Sequence, residues 1–157
     1  MMCQFTNWPP ALATALPIPY IGHIERDTPP PLLQTMRKIE QQMNNAIATQ
    51  TDWKSANTEV INFYNDAKEW VVASVFLHGN LIAEVGDNFI RLFDGGYQSK
   101  TTKSRLNAIL QEHGEAGDKV FQKDWKWMLQ MNTAQGLSTV PFFSSMRLGW
   151  YYVELTF

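Results

Sequence analysis

The chain has 157 residues, of which 13 are Lys or Arg and 15 are Asp or Glu, so its formal net charge is −2. This balance excludes binding of nucleic acid through bulk positive charge, and the length is that of one domain with one core. The single cysteine, Cys3, excludes an intrachain disulfide framework, so we expect a reducing compartment.

Residues 1–30 form a proline-rich segment, and seven of the eight prolines of the chain lie within residues 1–31. Proline removes a backbone donor and fixes φ, which predicts an extended arm with little regular structure. Because the arm carries large apolar side chains, we expect it to pack across its own domain or across a neighbouring subunit. Its composition is not that of a signal peptide or a membrane span.

Two helices are predicted. Leu32, Met36, Ile39 and Met43 recur at spacings of three and four, which predicts one amphipathic helix over residues 31–50. Its stripe is typical of a helix that packs on a sheet, and pairing with a second copy is the alternative. A shorter helix is predicted over residues 102–112, after the double glycine Gly95-Gly96.

Strand patterns with a period of two fill most of the remaining chain. A meander of antiparallel strands is predicted at residues 59–64, 70–77, 81–85 and 89–93. Residues 120–124 and 125–130 are predicted as one long bent strand or as two strands, and residues 148–155 as a further strand. The predicted fold class is therefore α+β: a mainly antiparallel sheet with one long N-terminal helix and one shorter helix, forming a single domain over residues 31–157 behind the extended arm.

Sequence elements between residues 53 and 129 resemble a family of small bacteriophage proteins of unassigned activity. The most specific is Thr-Thr-Lys-x-Arg-Leu-Asn at residues 101–107, joined by the hairpin at 77–83, the Asp-Gly-Gly-Tyr turn at 94–97 and the run at 121–127. Tyr97 stands where tryptophan is expected. The resemblance implies a phage or mobile-element origin and, by analogy with accessory phage proteins of this size, a non-enzymatic binding protein that redirects or inhibits host machinery.

The expected partner is a host protein or a protein–nucleic-acid complex in the host bacterial cytoplasm. We expect this partner to belong to a bacterial defence machine, in which case the role resembles that of an anti-CRISPR protein, or to a nucleic-acid-processing machine. One alternative is a single-stranded nucleic-acid or nucleotide-binding module that uses an aromatic row with Lys100, Lys103 and Arg105. A less favoured alternative is a small metal-dependent nuclease that uses Glu84, Asp87, Asp94 and Lys123.

The start of the second helix is a candidate anion site. Free N–H groups at a helix start, together with hydroxyl and cationic side chains, suit a phosphate or a carboxylate. A threonine there is also an ordinary helix cap. Cations in the first turn oppose the helix dipole unless an anion, from a ligand or from the protein itself, offsets them. The residues of this site are Thr101, Thr102, Lys103, Ser104 and Arg105.

A second candidate is an aromatic face for base stacking or for a partner. Phe89, Arg91 and Phe93 share one side of a strand, while Ile90 and Leu92 share the other. If the helices cover Ile90 and Leu92, the aromatic row faces outward; otherwise the arm or the C-terminal tail forms a second packing layer over it. The same theme recurs on a later strand at Phe121, Lys123, Trp125 and Trp127.

No catalytic residue, metal ligand or cofactor is predicted. His23, His78 and His113 are far apart and lack metal-ligand spacing, and turn carboxylates usually serve their own turns. The apolar arm and the aromatic tail predict a homo-oligomer, most simply a dimer.

Overall fold

The computed structural model describes residues 36–149, which contain two helices and nine strands. The helices are α1, Lys38–Ala48, and α2, Lys100–His113. The strands are β1 Trp53–Ser55, β2 Thr58–Tyr64, β3 Trp70–Leu77, β4 Asn80–Gly86, β5 Phe89–Leu92, β6 Lys119–Lys123, β7 Lys126–Thr133, β8 Gly136–Pro141 and β9 Met146–Gly149. No helix among these residues is long and apolar enough to cross a membrane.

The larger sheet has six antiparallel strands in the order β1-β2-β3-β4-β5-β9. Alternation along each strand sends every second side chain to the same face, so that register partners form rows across the sheet. One such row is fully or almost fully buried and defines the core face; it consists of Val60, Val75, Ala83, Leu92 and Met146.

The smaller sheet has three antiparallel strands in the order β6-β7-β8. Strands β6 and β7 are joined by Asp124 and Trp125, whose φ angles are 50° and 65°. Two central residues with positive φ are typical of a type I′ hairpin turn. The segment is therefore two strands joined by a tight turn and is not one bent strand.

Both helices pack on the core face of the six-stranded sheet, and α2 also contacts β6 of the smaller sheet. Asn107 fixes this second contact, because its Nδ2 donates to the Val120 carbonyl at 2.9 Å and its Oδ1 accepts from the Val120 N–H at 2.7 Å. One apolar core thus runs from the larger sheet through the helices to Trp127, Leu129 and Met131 of β7.

The α+β class with mainly antiparallel sheets and two helices is confirmed. The strands form two sheets where one was predicted, and β1 and β8 were missed. Helix α1 begins at Lys38, after the cap residue Arg37, and ends at Ala48; with 11 residues it is shorter than the helix predicted over 31–50 and shorter than α2, which has 14. The arm at residues 1–30, residues 31–35 of the predicted helix and the strand residues beyond Gly149 lie outside the described residues.

Candidate binding surfaces

Helix α2 begins at Lys100, two residues earlier than predicted, and its cap is Ser99. The Ser99 Oγ accepts a hydrogen bond from the Thr102 N–H at 3.0 Å. Thr102 is buried, and its hydroxyl donates to the Tyr97 carbonyl at 3.2 Å. The hydroxyl groups of Ser99 and Thr102 are therefore used within the helix start and the turn that precedes it.

Arg105 is 4% exposed and contacts α1 and β2. Its Nη1 donates to Glu40 Oε1 at 2.7 Å, and its Nε donates to Thr58 Oγ1 at 3.2 Å. Ser104 Oγ donates to the same carboxylate oxygen at 2.6 Å, and Glu40 Oε2 accepts from the Arg37 N–H at 3.0 Å. The anion opposite Arg105 thus comes from the protein itself.

The five predicted anion-site residues are divided between the interior and the surface. Thr102, Ser104 and Arg105 bond inside the fold, whereas Thr101 and Lys103 are half-buried. The Lys103 Nζ lies 6.0 Å from the ring centre of Trp127. Binding of an external anion at this helix start stays a prediction.

The outer sheet face is the side of the six-stranded sheet opposite the helices. Ile90 and Leu92 are buried on the core face, so Phe89 and Arg91 lie on the outer sheet face. The Arg91 Nη1 bonds to Glu84 Oε2 at 3.2 Å. Phe93 follows the end of β5 and is half-buried, and its N–H donates to the Ile82 carbonyl at 2.8 Å.

Half-exposed apolar side chains surround this ion pair on the outer sheet face. The Phe89 ring folds back over Gly86, where any Cβ would collide with it. The Arg147 guanidinium stacks 4.6 Å from the Phe89 ring centre, and Phe63 is 48% exposed. Register and alternation place these apolar residues on the face: Ile61, Phe63, Val72, Phe76, Leu81 and Phe89.

The later aromatic set lies on the smaller sheet and does not extend this row. Phe121 and Lys123 lie on the solvent side of β6. Trp127 is 5% exposed and packs edge-on against Phe142, with 5.5 Å between ring centres. The turn at residues 124–125 reverses the chain, so Trp127 pairs with Gln122 and faces the core.

Trp125 occupies the hairpin tip, which we define as residues 123–126. Its side chain is 92% exposed. Lys123 and Lys126 are register partners on either side of it, and neither forms an ion pair within residues 36–149.

The residues of the alternative nuclease set are not brought together. Glu84 pairs with Arg91, and Asp94 Oδ1 accepts from the Gly96 N–H at 3.0 Å within its own turn. Asp87 follows the end of β4, and Asp94 lies beyond the end of β5. Because β4 and β5 are antiparallel, these two residues are at opposite ends of the strand pair, and Lys123 lies in the other sheet. Residues 36–149 contain no group of three or more His, Cys, Asp or Glu placed to hold a metal ion.

A cleft of about 850 Å³ lies where the end of α2, the β4–β5 turn and the β7–β8 hairpin meet. We call it the acidic cleft, because its charged lining residues are three carboxylates and none of its described lining residues is Lys or Arg. Asp118 holds the cleft together, since its oxygens accept from the Glu115 N–H at 3.0 Å and the Asn132 N–H at 2.7 Å. The carboxylates are Asp87, Glu115 and Asp118, and the apolar walls include Phe89, Met131, Leu137 and Leu148.

His113, at the end of α2, forms part of the cleft wall. Burial lowers the pKa of His113 below its usual 6.5, although Glu112 and a hydrogen bond to the Asn44 backbone oppose the shift. Its Nε2 is buried and has no hydrogen-bond partner within residues 36–149. The imidazole is therefore neutral at neutral pH and adds no positive charge to the cleft.

Comparison with known protein families gives a match, over residues 36–149, to a phage family described as Kyanoviridae Gp96 protein. The chain belongs to this family. The predicted resemblance to a bacteriophage family is confirmed at this level. No curated protein and no solved structure gave a significant match.

The Gp96 match spans both helices and both sheets, so the outer sheet face, the hairpin tip and the acidic cleft all lie within the family region. Sequence reasoning missed Glu40, Thr58 and the cleft. Glu40 is 65 positions from Arg105, and no local pattern marks such a pair.

Proposed function

We propose that this phage protein is a non-enzymatic binding protein that occupies a host factor, and that it docks through the outer sheet face. One observation carries the proposal: Phe63, Phe89 and the ion-paired Arg91 share a sheet face that no described helix covers. A contiguous apolar patch on an open face is typical of an interaction site.

The composition of this face suits a protein partner. Aromatic residues and arginine are enriched at the centres of protein interfaces, whereas lysine is depleted there. Phe89 between Gly86 and the Arg147 guanidinium is a ring already held in place before a partner arrives. Such preorganised aromatic anchors commonly supply most of the binding free energy.

The same geometry favours a protein over single-stranded nucleic acid. A stacking platform needs free cations beside its rings to bind phosphates. Arg91 is neutralised by Glu84 at 3.2 Å, and Lys100 and Lys103 lie on the helix that packs against the opposite side of the sheet. The aromatic row and those lysines do not line one groove.

Phage-family membership supports a host factor as the partner, because small accessory phage proteins often act by occupying host machinery. Occupancy requires a stable complementary surface and no turnover. A component of a bacterial defence or nucleic-acid-processing machine is the class of target that fits this role.

The proposal is tested by site-specific photo-crosslinking with the full chain in host extract. A photoreactive phenylalanine replaces Phe63 in one sample and Tyr97 in the control, since Tyr97 is 76% exposed and lies in the loop before α2. We expect one host protein to crosslink from position 63 only. Excess unlabelled protein should abolish the product, whereas an Arg91→Glu competitor should not.

Binding of the identified host protein is then measured with purified components. Phe63→Ser should weaken it at least about 30-fold, as expected for a hot-spot residue, and Tyr97→Ser should leave it unchanged. Equal crosslinking from both positions would contradict the proposal. A nuclease-sensitive product from position 63 would favour the nucleic-acid alternative instead.

A further inference from the structure

Trp125 breaks the local rules for the position that it occupies. A left-handed backbone conformation is strained for a bulky side chain, and hairpin turns of this kind usually place Asn and Gly there. Trp125 has φ of 65°, and its side chain is 92% exposed. The fold gains no packing in return, and local rules broken without compensation are typical of functional sites.

The charge around Trp125 is positive. Lys123 and Lys126 flank it, and Lys103 lies beside Trp127, close to the same end of β7. Asp124 is the one acidic residue of the tip. Lys123 and Lys126 against Asp124 give the tip a net charge of +1, and the nearby Lys103 raises the local charge at this end of β7 to about +2.

The opposite end of the same sheet has the opposite charge. Asp87, Glu115 and Asp118 line the acidic cleft, and the carboxyl end of α2 adds partial negative charge from its carbonyl groups. Its volume of about 850 Å³ is large enough to accommodate a large side chain. Its apolar walls suit an aromatic ring.

These two features cannot meet within one molecule. Strand β7 begins at the tip with Lys126 and ends at the cleft with Thr133, and it has eight residues. At about 3.4 Å per residue the tip and the cleft are roughly 24 Å apart along a rigid strand. A contact between them requires two copies of the chain.

We propose that the hairpin tip of one copy inserts Trp125 into the acidic cleft of a second copy, with Lys123 and Lys126 facing the cleft carboxylates. The indole ring lies against the apolar walls, and burying it removes the exposed tryptophan from water. A two-fold axis allows both tips to insert at once and closes the assembly as a dimer.

Charge complementarity selects this occupant over a metal ion. The three cleft carboxylates are too dispersed to coordinate one cation, and residues 36–149 contain no group placed to do so. Dispersed carboxylates around an apolar cavity instead suit a surface that carries separated ammonium groups beside an aromatic ring. The hairpin tip has this arrangement.

The test is sedimentation velocity of the full chain, whose mass is 18.0 kDa, at low and high salt. The unmodified chain should sediment as an assembly that salt weakens. Trp125→Gly and Glu115→Lys should each weaken self-association at least about 30-fold, the loss expected of a central contact. Tyr97→Ser and Asp66→Lys are the matched controls at exposed positions elsewhere, and they should leave self-association unchanged.

Mixing the two variants gives the decisive result. Trp125→Gly retains an intact cleft and Glu115→Lys retains an intact tip, so an equal mixture should form a complex that neither variant forms alone. A mixture that stays at 18.0 kDa would overturn the proposal, as would an unmodified chain that remains monomeric across micromolar concentrations. Continued assembly of Trp125→Gly alone would do the same. Thermal melting confirms that each variant is folded.

Discussion

The buried ion pair between Glu40 and Arg105 allows a sharp test of what holds α2 in place. Both side chains are at most 6% exposed, and the Nη1 to Oε1 distance is 2.7 Å. Arg105→Met removes the cation and leaves the Glu40 carboxylate buried without it. Breaking one side of a buried pair costs about 3–5 kcal/mol, so we expect a loss of this size in the free energy of unfolding.

The double variant Glu40→Leu with Arg105→Met separates the loss of the ion pair from the cost of leaving one buried charge unpaired. Replacing both charges with apolar groups of similar volume is often nearly neutral. Glu40 also accepts from Ser104 and from the Arg37 N–H, and losing these bonds costs about 1–2 kcal/mol. Glu40→Leu with Arg105→Met should therefore be more stable than Arg105→Met alone.

Urea unfolding at pH 7 measures these differences, and Arg91→Met is the matched control. Its ion pair with Glu84 joins the same atom types, is longer at 3.2 Å and lies on the half-exposed outer sheet face, where such a pair contributes less than about 1 kcal/mol. Arg105→Lys should fall between, because lysine keeps the charge but cannot also reach Thr58. Equal losses for Arg105→Met and Arg91→Met would refute the reasoning.

Three further predictions concern single side chains. Trp125→Gly should raise the free energy of unfolding by about 1 kcal/mol in urea, because it relieves left-handed strain at φ of 65°; a loss of stability would show that the ring packs on the fold. Burial lowers the pKa of His113 in the folded protein, so the unfolded chain binds a proton more readily. The contribution of His113 to the free energy of unfolding is therefore fully present above about pH 6.5 and is lost as the pH falls. His113→Gln should therefore flatten the decrease in urea midpoint between pH 7 and pH 5.5, and an unchanged slope would contradict this. Asn107→Ala should cost about 2 kcal/mol and speed hydrogen exchange at the Val120 amide, whereas unchanged exchange would show that the two bonds do not hold β6.

Local signals predicted the larger sheet well. Strand β3 was predicted at its observed bounds, Trp70–Leu77, because period-two alternation ends on both sides in turn residues. The alternation also predicted that Ile90 and Leu92 share a face, and both are buried on the core face in the structure. These features depend only on neighbours a few positions apart.

Features that depend on distant pairing were not predictable in the same way. The turn at Asp124-Trp125 lacks the Asn-Gly signal, so the period of two was carried across it and placed Trp127 beside Trp125. The reversal of the chain sends Trp127 into the core instead. Strand β8 was missed because its exposed edge position leaves it without a clear apolar alternation.

The most specific sequence motif, Thr-Thr-Lys-x-Arg-Leu-Asn at residues 101–107, acts mainly within the fold. Thr102 bonds to the preceding turn, Arg105 joins α2 to α1 and β2, and Asn107 holds β6. An arginine whose charge is already neutralised at 2.7 Å has little remaining attraction for an external phosphate. Within residues 36–149, the exposed Trp125 lies on the hairpin tip between Lys123 and Lys126, and the exposed Phe63 lies on the outer sheet face. Recognition of other molecules is therefore expected on those two surfaces and in the acidic cleft, and the motif is expected to help set their positions through α2.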